Sequence, residues 1–296
     1  MTAPAIRVAG LTKHYGKNVA LTDLNLEVAP GEVFGFLGPN GAGKSTTIRI
    51  LLDLIRPTAG RVEIFGIEPR TGGAELRRRI GYLPGELTLE GRNTARDLLS
   101  FLADQHGNVP TGRIEELAGQ LDLDLGKKVG AMSKGNKQKV GIVAAFMHRP
   151  DLLILDEPTS GLDPLLQQRF LTLVEEAKGN GQTVFMSSHI LSEVQQTADR
   201  AVIMRAGRLL GTENVEDLRS RAPRSVEIVF GETVFADDFA RLGNVKDVVV
   251  DGNTLRCTTE GEVDALFKTA AKYQLVSVLS TEPDLEELFF DLYERR

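Results

Sequence analysis

The stretch Gly38-Pro39-Asn40-Gly41-Ala42-Gly43-Lys44-Ser45-Thr46 fits the pattern G-x-x-x-x-G-K-[ST]. In that pattern glycines let the backbone turn and approach a polyphosphate, the lysine reaches the β- and γ-phosphates, and the next hydroxyl goes to Mg²⁺. A second group of residues complements it. The apolar run Leu152–Leu155 ends in Asp156-Glu157-Pro158. A carboxylate at a strand end, Asp156, can hold Mg²⁺ through water opposite Ser45, and the next, Glu157, can act as general base on the attacking water. These residues predict an ATP or GTP site, with residues 38–46 binding the phosphates.

Such a site needs a strand turning sharply into a helix, so that several N–H groups and the positive helix end meet at one spot. Val33–Leu37 is an apolar run of strand type, and Ile48, Leu51 and Leu52 have helical spacing over Thr47–Leu54. Downstream, a helix over Leu165–Lys178, a strand over Thr183–Ser187, a helix over Leu191–Ala198 and a strand over Ala201–Arg205 are expected. That alternation predicts an α/β core whose ligand lies at the carboxyl ends of parallel strands. Upstream, Ile6–Ala9 and Leu24–Ala29 read as strands with a turn at Ala20–Asp23, and Arg61–Phe65 and Ile80–Leu83 as strands around a helix ending in Arg77-Arg78-Arg79. Residues 93–148 read as a helical subdomain, with helices at Ala95–Asp104, Ile114–Leu121 and Lys137–Met147. After a polar linker at 219–224, the order β-α-β-β-α-β predicts a small ferredoxin-like α+β domain, followed by a helix over Asp284–Tyr293. The expected division is a nucleotide-binding domain over 1–218 and an accessory domain over 225–296.

The 296 residues are 42% hydrophobic with a net charge of −6, enough to bury a sizeable core. From Ser225 onward there are 7 Lys and Arg against 15 Asp and Glu, so the acidity is concentrated in the tail. No basic stripe suited to nucleic acid is present. Cys257 is the sole cysteine, which excludes an intrachain disulfide and points to a reducing compartment. The N-terminus lacks a secretion-type pattern, and the longest apolar run, Val140–Met147, is far below the roughly 20 residues that cross a bilayer. A membrane role is expected only through a partner chain.

Further motifs stand in order around these. Ser160-Gly161-Leu162-Asp163 follows the two carboxylates, His189 lies in Ser187-Ser188-His189, Tyr15 in LTKHYG, and Met132-Ser133-Lys134-Gly135-Asn136 precedes a helix. Over roughly residues 4–215 the chain resembles the ATP-binding subunits of ABC transporters, P-loop NTPases with a mixed sheet and a helical subdomain. The resemblance implies a dimer that sandwiches two ATP, each between one phosphate loop and the partner's signature, here Ser133, Lys134, Gly135 and Asn136. It implies that Asp163 couples the sites, His189 contacts the γ-phosphate and Glu157, and Tyr15 stacks on adenine. Catalysis then falls to Glu157, His189 and Lys44, and Mg²⁺ to Ser45 and Asp156. Two positions depart from the family pattern. Lys134 and Asn136 replace Gly and Gln of the signature, and Gly85 replaces the glutamine of the coupling loop, whose role is expected to pass in part to Glu86.

The tail resembles the appendage of ABC-2-type exporters, most closely over Pro283–Phe289. The resemblance therefore implies an ATPase at the cytoplasmic face of the cell membrane, powering export through a separate permease, with a second ATPase subunit, a homodimer being expected. A soluble ABC ATPase acting on nucleic acid or the ribosome, and a slow regulatory nucleotide-binding module, stay open as alternatives.

Overall fold

Alternating burial of Ile6 and Val8, with Leu11 buried again beyond a register shift, lays the first strand on the core. In this computed structural model, which describes residues 3–107, 109–217 and 223–281, β1 (Ile6–Tyr15) and β2 (Asn18–Val28) pair antiparallel. With β4 (Ala59–Ile64) they form a three-stranded sheet of order β2-β1-β4, reached after β3 (Val33–Leu37). The turn lies at Gly16-Lys17, not at Ala20–Asp23. Asp23 instead takes φ 50° at a register shift inside β2, where its N–H donates to Thr12 Oγ1 at 3.2 Å. An aspartate tolerates the left-handed region in a bulge as it does in a turn, which is why the two look alike in sequence.

The main sheet has six strands. It adds β5 (Ile80–Leu83), β6 (Leu152–Asp156), β7 (Thr183–Ser188), β8 (Arg200–Arg205) and β9 (Arg208–Asn214) in the order β5-β6-β7-β3-β8-β9. Every residue of β3, β6 and β7 is buried, as expected of parallel strands covered on both faces. Their registers pair Leu37 with Ser188 and Asp156 with Ser187, so the three strands finish together on one rim. The edge strand β9 was not foreseen; it returns through the two-residue turn Ala206-Gly207, both residues at positive φ.

Helices α1 (Lys44–Leu51), α2 (Pro69–Arg78), α6 (Pro164–Gly179) and α7 (Leu191–Thr197) accompany this sheet. The α1 residues Ile48, Ile50 and Leu51 share a core with Phe34, Phe36 and Phe185. The inserted segment holds α3 (Ala95–His106), α4 (Arg113–Gln120) and α5 (Lys134–Phe146). A reciprocal cap between Thr94 and Asp97 starts α3.

The chain divides into two compact units between Glu213 and Asn214. In the second, β10 (Arg224–Phe230), α8 (Ala236–Ala240), β11 (Val245–Asp251), β12 (Thr254–Thr259), α9 (Asp264–Ala270) and β13 (Leu275–Thr281) follow one another. The sheet is antiparallel in the order β11-β12-β10-β13, the split β-α-β arrangement, over a core of Val226, Ile228, Phe230, Phe239, Leu255 and Leu266. The helix expected over Asp284–Tyr293 and the Pro283–Phe289 segment lie outside the described residues, as does most of the 219–224 linker.

Candidate functional site

The rim of β3, β6 and β7 is where the expected site residues meet. Between the end of β3 and the start of α1, Gly38 has φ 156°, and a Cβ there would lie 2.4 Å from the Met204 carbonyl oxygen. Gly43, at φ 112°, would put a Cβ 2.6 Å from Leu21 Cδ2. Only glycine serves at either position. No side chain caps α1, whose N-cap is Gly43, so its first-turn amides face the loop. Lys44 is 5% exposed, and its Nζ donates to the Gly38 carbonyl at 2.6 Å, folding the ammonium back over the loop. Ser45 and Thr46 are half-buried in the first turn, while Pro39, Asn40 and Gly41 are exposed at the loop's crest.

Asp156, the last residue of β6, is 5% exposed and receives the Ser187 hydroxyl on Oδ1 at 2.6 Å. Its Oδ2 faces Gly85, where a Cβ would stand 3.4 Å away. Oxygen donors alone, the Ser45 hydroxyl and the Asp156 carboxylate, converge by sequence position on this rim, a donor set that suits Mg²⁺. Glu157 takes φ 48°, a conformation that costs a non-glycine residue about 1–3 kcal/mol and that turns its side chain out of the strand line. Its Oε2 is 2.5 Å from His189 Nδ1, and its Oε1 is 3.1 Å from Lys44 Nζ, close enough for an ion pair but not aligned as a hydrogen bond. Lys44, Glu157 and His189 thus form one contiguous cluster beside Asp156. Burial pushes the neighbouring Tyr82 phenol up, and the Asp156 charge adds to it. Glu86 is exposed, and its carboxylate makes no hydrogen bond or ion pair among the described residues.

A second group gathers around the start of α5. Ser133 is the N-cap, and its hydroxyl accepts from the Asn136 N–H at 3.4 Å and from Asn136 Nδ2 at 3.1 Å. A Cβ on Gly135 would meet the Gly161 carbonyl at 2.8 Å, so the signature and the Ser160–Asp163 turn are in backbone contact. The Lys134 stem runs over Gly161 and its ammonium reaches Ser160 Oγ at 3.5 Å, within the same chain. Asp163 caps α6 by accepting from the Leu166 N–H at 3.0 Å. Tyr15, 46% exposed at the end of β1, has the Lys13 ammonium 4.9 Å above its ring. Among the described residues no hydrogen bond or ion pair joins this second group to residues 38–46.

The sequence profile of the ABC transporter family matches residues 21–160. A profile described as an AAA domain, putative AbiEii toxin, Type IV TA system, matches residues 127–194. The bacitracin transport ATP-binding protein of Bacillus licheniformis is 41% identical over 75% of this chain and 74% of its own length. The chain belongs to the ATP-binding proteins of ABC transporters. The daunorubicin resistance ATP-binding protein of Streptomyces coeruleorubidus is 32% identical over 99% of this chain and 96% of its own. Among solved structures, an ATP-binding subunit of an ABC transporter superposes with a TM-score of 0.67 at 33% identity, covering 73% of this chain and 92% of that one. A dimeric, post-hydrolysis ATP-binding cassette bound to ADP and Pi gives 0.64 at 25% identity, covering 71% and 98%.

As an ABC ATPase the chain binds and hydrolyses ATP. Its motifs do not account for every group that holds the site together. Ser187 and Ser188 lie in the His189 motif without an expected role of their own, and Thr159, Gln138 and Glu193 were not expected in the site. Gln138 is buried, and its Nε2 donates to the Pro158 carbonyl at 2.9 Å, tying α5 to the segment that follows the two carboxylates. Glu193 is 5% exposed and accepts hydroxyls from Thr159 and Ser188. The available sequence signal was an acid beside Val194 and two residues after Leu191 in a short helix.

Proposed function

We propose that two copies of this chain, or this chain and a close relative, close on two MgATP and drive a separate membrane permease in export. The observation carrying this reading is the split between two groups. Lys44, Asp156, Glu157 and His189 cluster at one rim, while Ser133 and Gly135 sit on a helix start that, among the described residues, makes no direct hydrogen bond or ion pair to residues 38–46. A solved relative of the same fold is dimeric and bound to ADP and Pi. The curated relatives named for bacitracin transport and daunorubicin resistance support export as the direction.

In this reading the loop amides and Lys44 hold the β- and γ-phosphates, and Tyr15 stacks on the adenine. Ser45 and Asp156 would hold Mg²⁺, which would supply charge neutralisation to those phosphates. Glu157, oriented by its contact with His189, takes the proton of the attacking water. The partner's α5 start, through Ser133 and adjoining amides, completes the γ-phosphate shell, and Asp163 links the two sites. Closure is the working stroke, because ATP adheres to both subunits and hydrolysis removes that adhesion. Gly85 offers no side chain to Mg²⁺, and Glu86 supplies part of the missing contact. Among the described residues no helix is long and apolar enough to cross a membrane. In this reading the chain works at the cytoplasmic face of the cell membrane, held there by a separate integral-membrane permease.

The test is Glu157→Gln. The variant binds ATP and accumulates as an ATP-stabilised dimer in gel filtration, while phosphate release falls by on the order of 100-fold or more. Rapid turnover by that variant overturns the assignment of the base. Wild-type turnover that stays slow with and without permease-containing membranes favours a regulatory module instead.

A further inference from the structure

We propose that Glu193 is a positioning residue for ATP hydrolysis, a buried carboxylate that fastens the segment carrying Glu157 to the segment carrying His189. The inference rests on those two residues being the catalytic pair. Glu193 Oε1 receives the Thr159 hydroxyl at 2.5 Å, and Oε2 receives the Ser188 hydroxyl at 2.9 Å. All three residues are at least 95% buried, and among the described residues no lysine, arginine or histidine pairs with Glu193. A carboxylate kept inside without a cation is expensive, so each oxygen must be used.

Where the two hydroxyls sit decides what they do. Thr159 follows Glu157 by one intervening residue, Pro158, and its carbonyl receives the Leu162 N–H at 3.0 Å, starting the turn that leads to Asp163. Ser188 immediately precedes His189, and its oxygen also accepts the Ile190 N–H at 2.9 Å, so the backbone on the far side of His189 is held as well. On the opposite side of the same strand end, Ser187 Oγ donates to Asp156 and receives the Glu157 N–H at 3.1 Å. Adjacent serines thus read two carboxylates: Ser187 sets Asp156, and Ser188, through Glu193, sets the spacing between Glu157 and His189. Because His189 is half exposed, little else around its ring fixes its position against Glu157. Thr197 Oγ1 donates to the Glu193 carbonyl at 3.1 Å within the last turn of α7.

The experiment is steady-state ATP hydrolysis by the full chain with Glu193→Gln and, separately, Thr159→Val, each also in a His189→Ala background. Each single variant is expected to lower kcat by on the order of tenfold or more, as loss of outer-shell support does. KM for ATP is expected to stay near that of the parent, while the melting temperature falls by a few degrees because a buried oxygen or hydroxyl loses its partner. In the His189→Ala background Glu193→Gln is expected to add less than about a twofold loss, because the geometry it maintains is already gone. An undiminished kcat, an equal multiplicative loss in that background, or a rise in KM that tracks a lower melting temperature overturns the proposal. If Glu193→Gln does not fold, the Thr159→Val and Ser188→Ala variants carry the same comparison. Turnover retained by Glu157→Gln indicts the catalytic assignment, whereas Glu157→Gln inactive beside Glu193→Gln fully active indicts this inference alone.

Discussion

Gly85 stands where the family resemblance leads to a glutamine, and the space around it is narrow. A Cβ there would meet the Asp156 carbonyl oxygen at 3.3 Å and the carboxyl carbon at 3.4 Å, while Ser187 holds Asp156 from the other side. Only the Asp156 backbone carbonyl oxygen would be crowded, by a few tenths of an ångström, so an added methyl group acts on the carboxylate through its main chain. Gly85→Ala is expected to raise the Mg²⁺ concentration for half-maximal turnover by about tenfold, in the range that disturbed support of a metal ligand produces. A Mg²⁺ titration of ATPase rate at saturating ATP measures it, and an unchanged midpoint shows that Asp156 accommodates the methyl group. Glu86 provides the converse case. It is exposed and unpaired, so its removal costs no folding energy, and any fall in turnover of Glu86→Ala reports function alone. We expect a fall of roughly tenfold at unchanged ATP affinity; equal turnover and equal transport remove Glu86 from the mechanism.

Among the elements, the junction of the helical insertion with the main sheet carries a pH-dependent term. His106 ends α3 and His148 follows α5, and their rings stack at 3.8 Å. His148 Nε2 lies 3.3 Å from the Ile80 carbonyl oxygen on β5. Burial and then the His106 ring bring His148 from 6.5 down to about 4, and burial and Arg78 lower His106 as well. Since the unfolded chain binds these protons first, stability is fully present above about pH 6.5 and is lost as pH falls through about 4. The His148 contribution is roughly 3 kcal/mol at most. Urea unfolding at a series of pH values is expected to show this slope, and His148→Phe to flatten it; parallel slopes would remove the pair from the account. How far such elements could be read beforehand depended on what their residues advertise. Strands β3 and β5 are legible to the residue because they are unbroken apolar runs bounded by turns. Helix α1 starts at Lys44 rather than Thr47, inside a glycine-rich motif with no helical signature, and α5 starts at Lys134 because Ser133 caps a polar first turn. Strand β9 is only partly buried and shows no apolar alternation, so nothing marked it. The site divides in the same way. Its motif residues announce themselves by type and spacing, whereas Ser188 and Glu193 matter only through partners that the fold brings to them.

For the whole molecule, the decisive consequence of dividing the reaction between two surfaces is that two defective chains can repair one another. Lys44→Ala damages the phosphate loop and leaves the signature whole. Ser133→Arg damages the signature, removing the α5 cap and placing bulk where the partner's γ-phosphate would lie, and leaves the phosphate loop whole. Each variant alone forms only symmetric pairs in which both sites contain a defect. In a two-fold assembly the mixed pair collects both defects in one site and leaves the other intact. Random pairing of an equimolar mixture makes half of the dimers mixed, each with one good site of two, so activity is expected to recover to about a quarter of wild type. Coupling between the sites through Asp163 would pull the figure below that without abolishing it. The same logic requires that wild-type specific activity fall on dilution, steeply where dimers dissociate. A mixture no more active than its components, together with wild-type turnover independent of concentration, would mean that each chain completes its own site, and the assignment of Ser133 and Gly135 to a partner's nucleotide would fail with it.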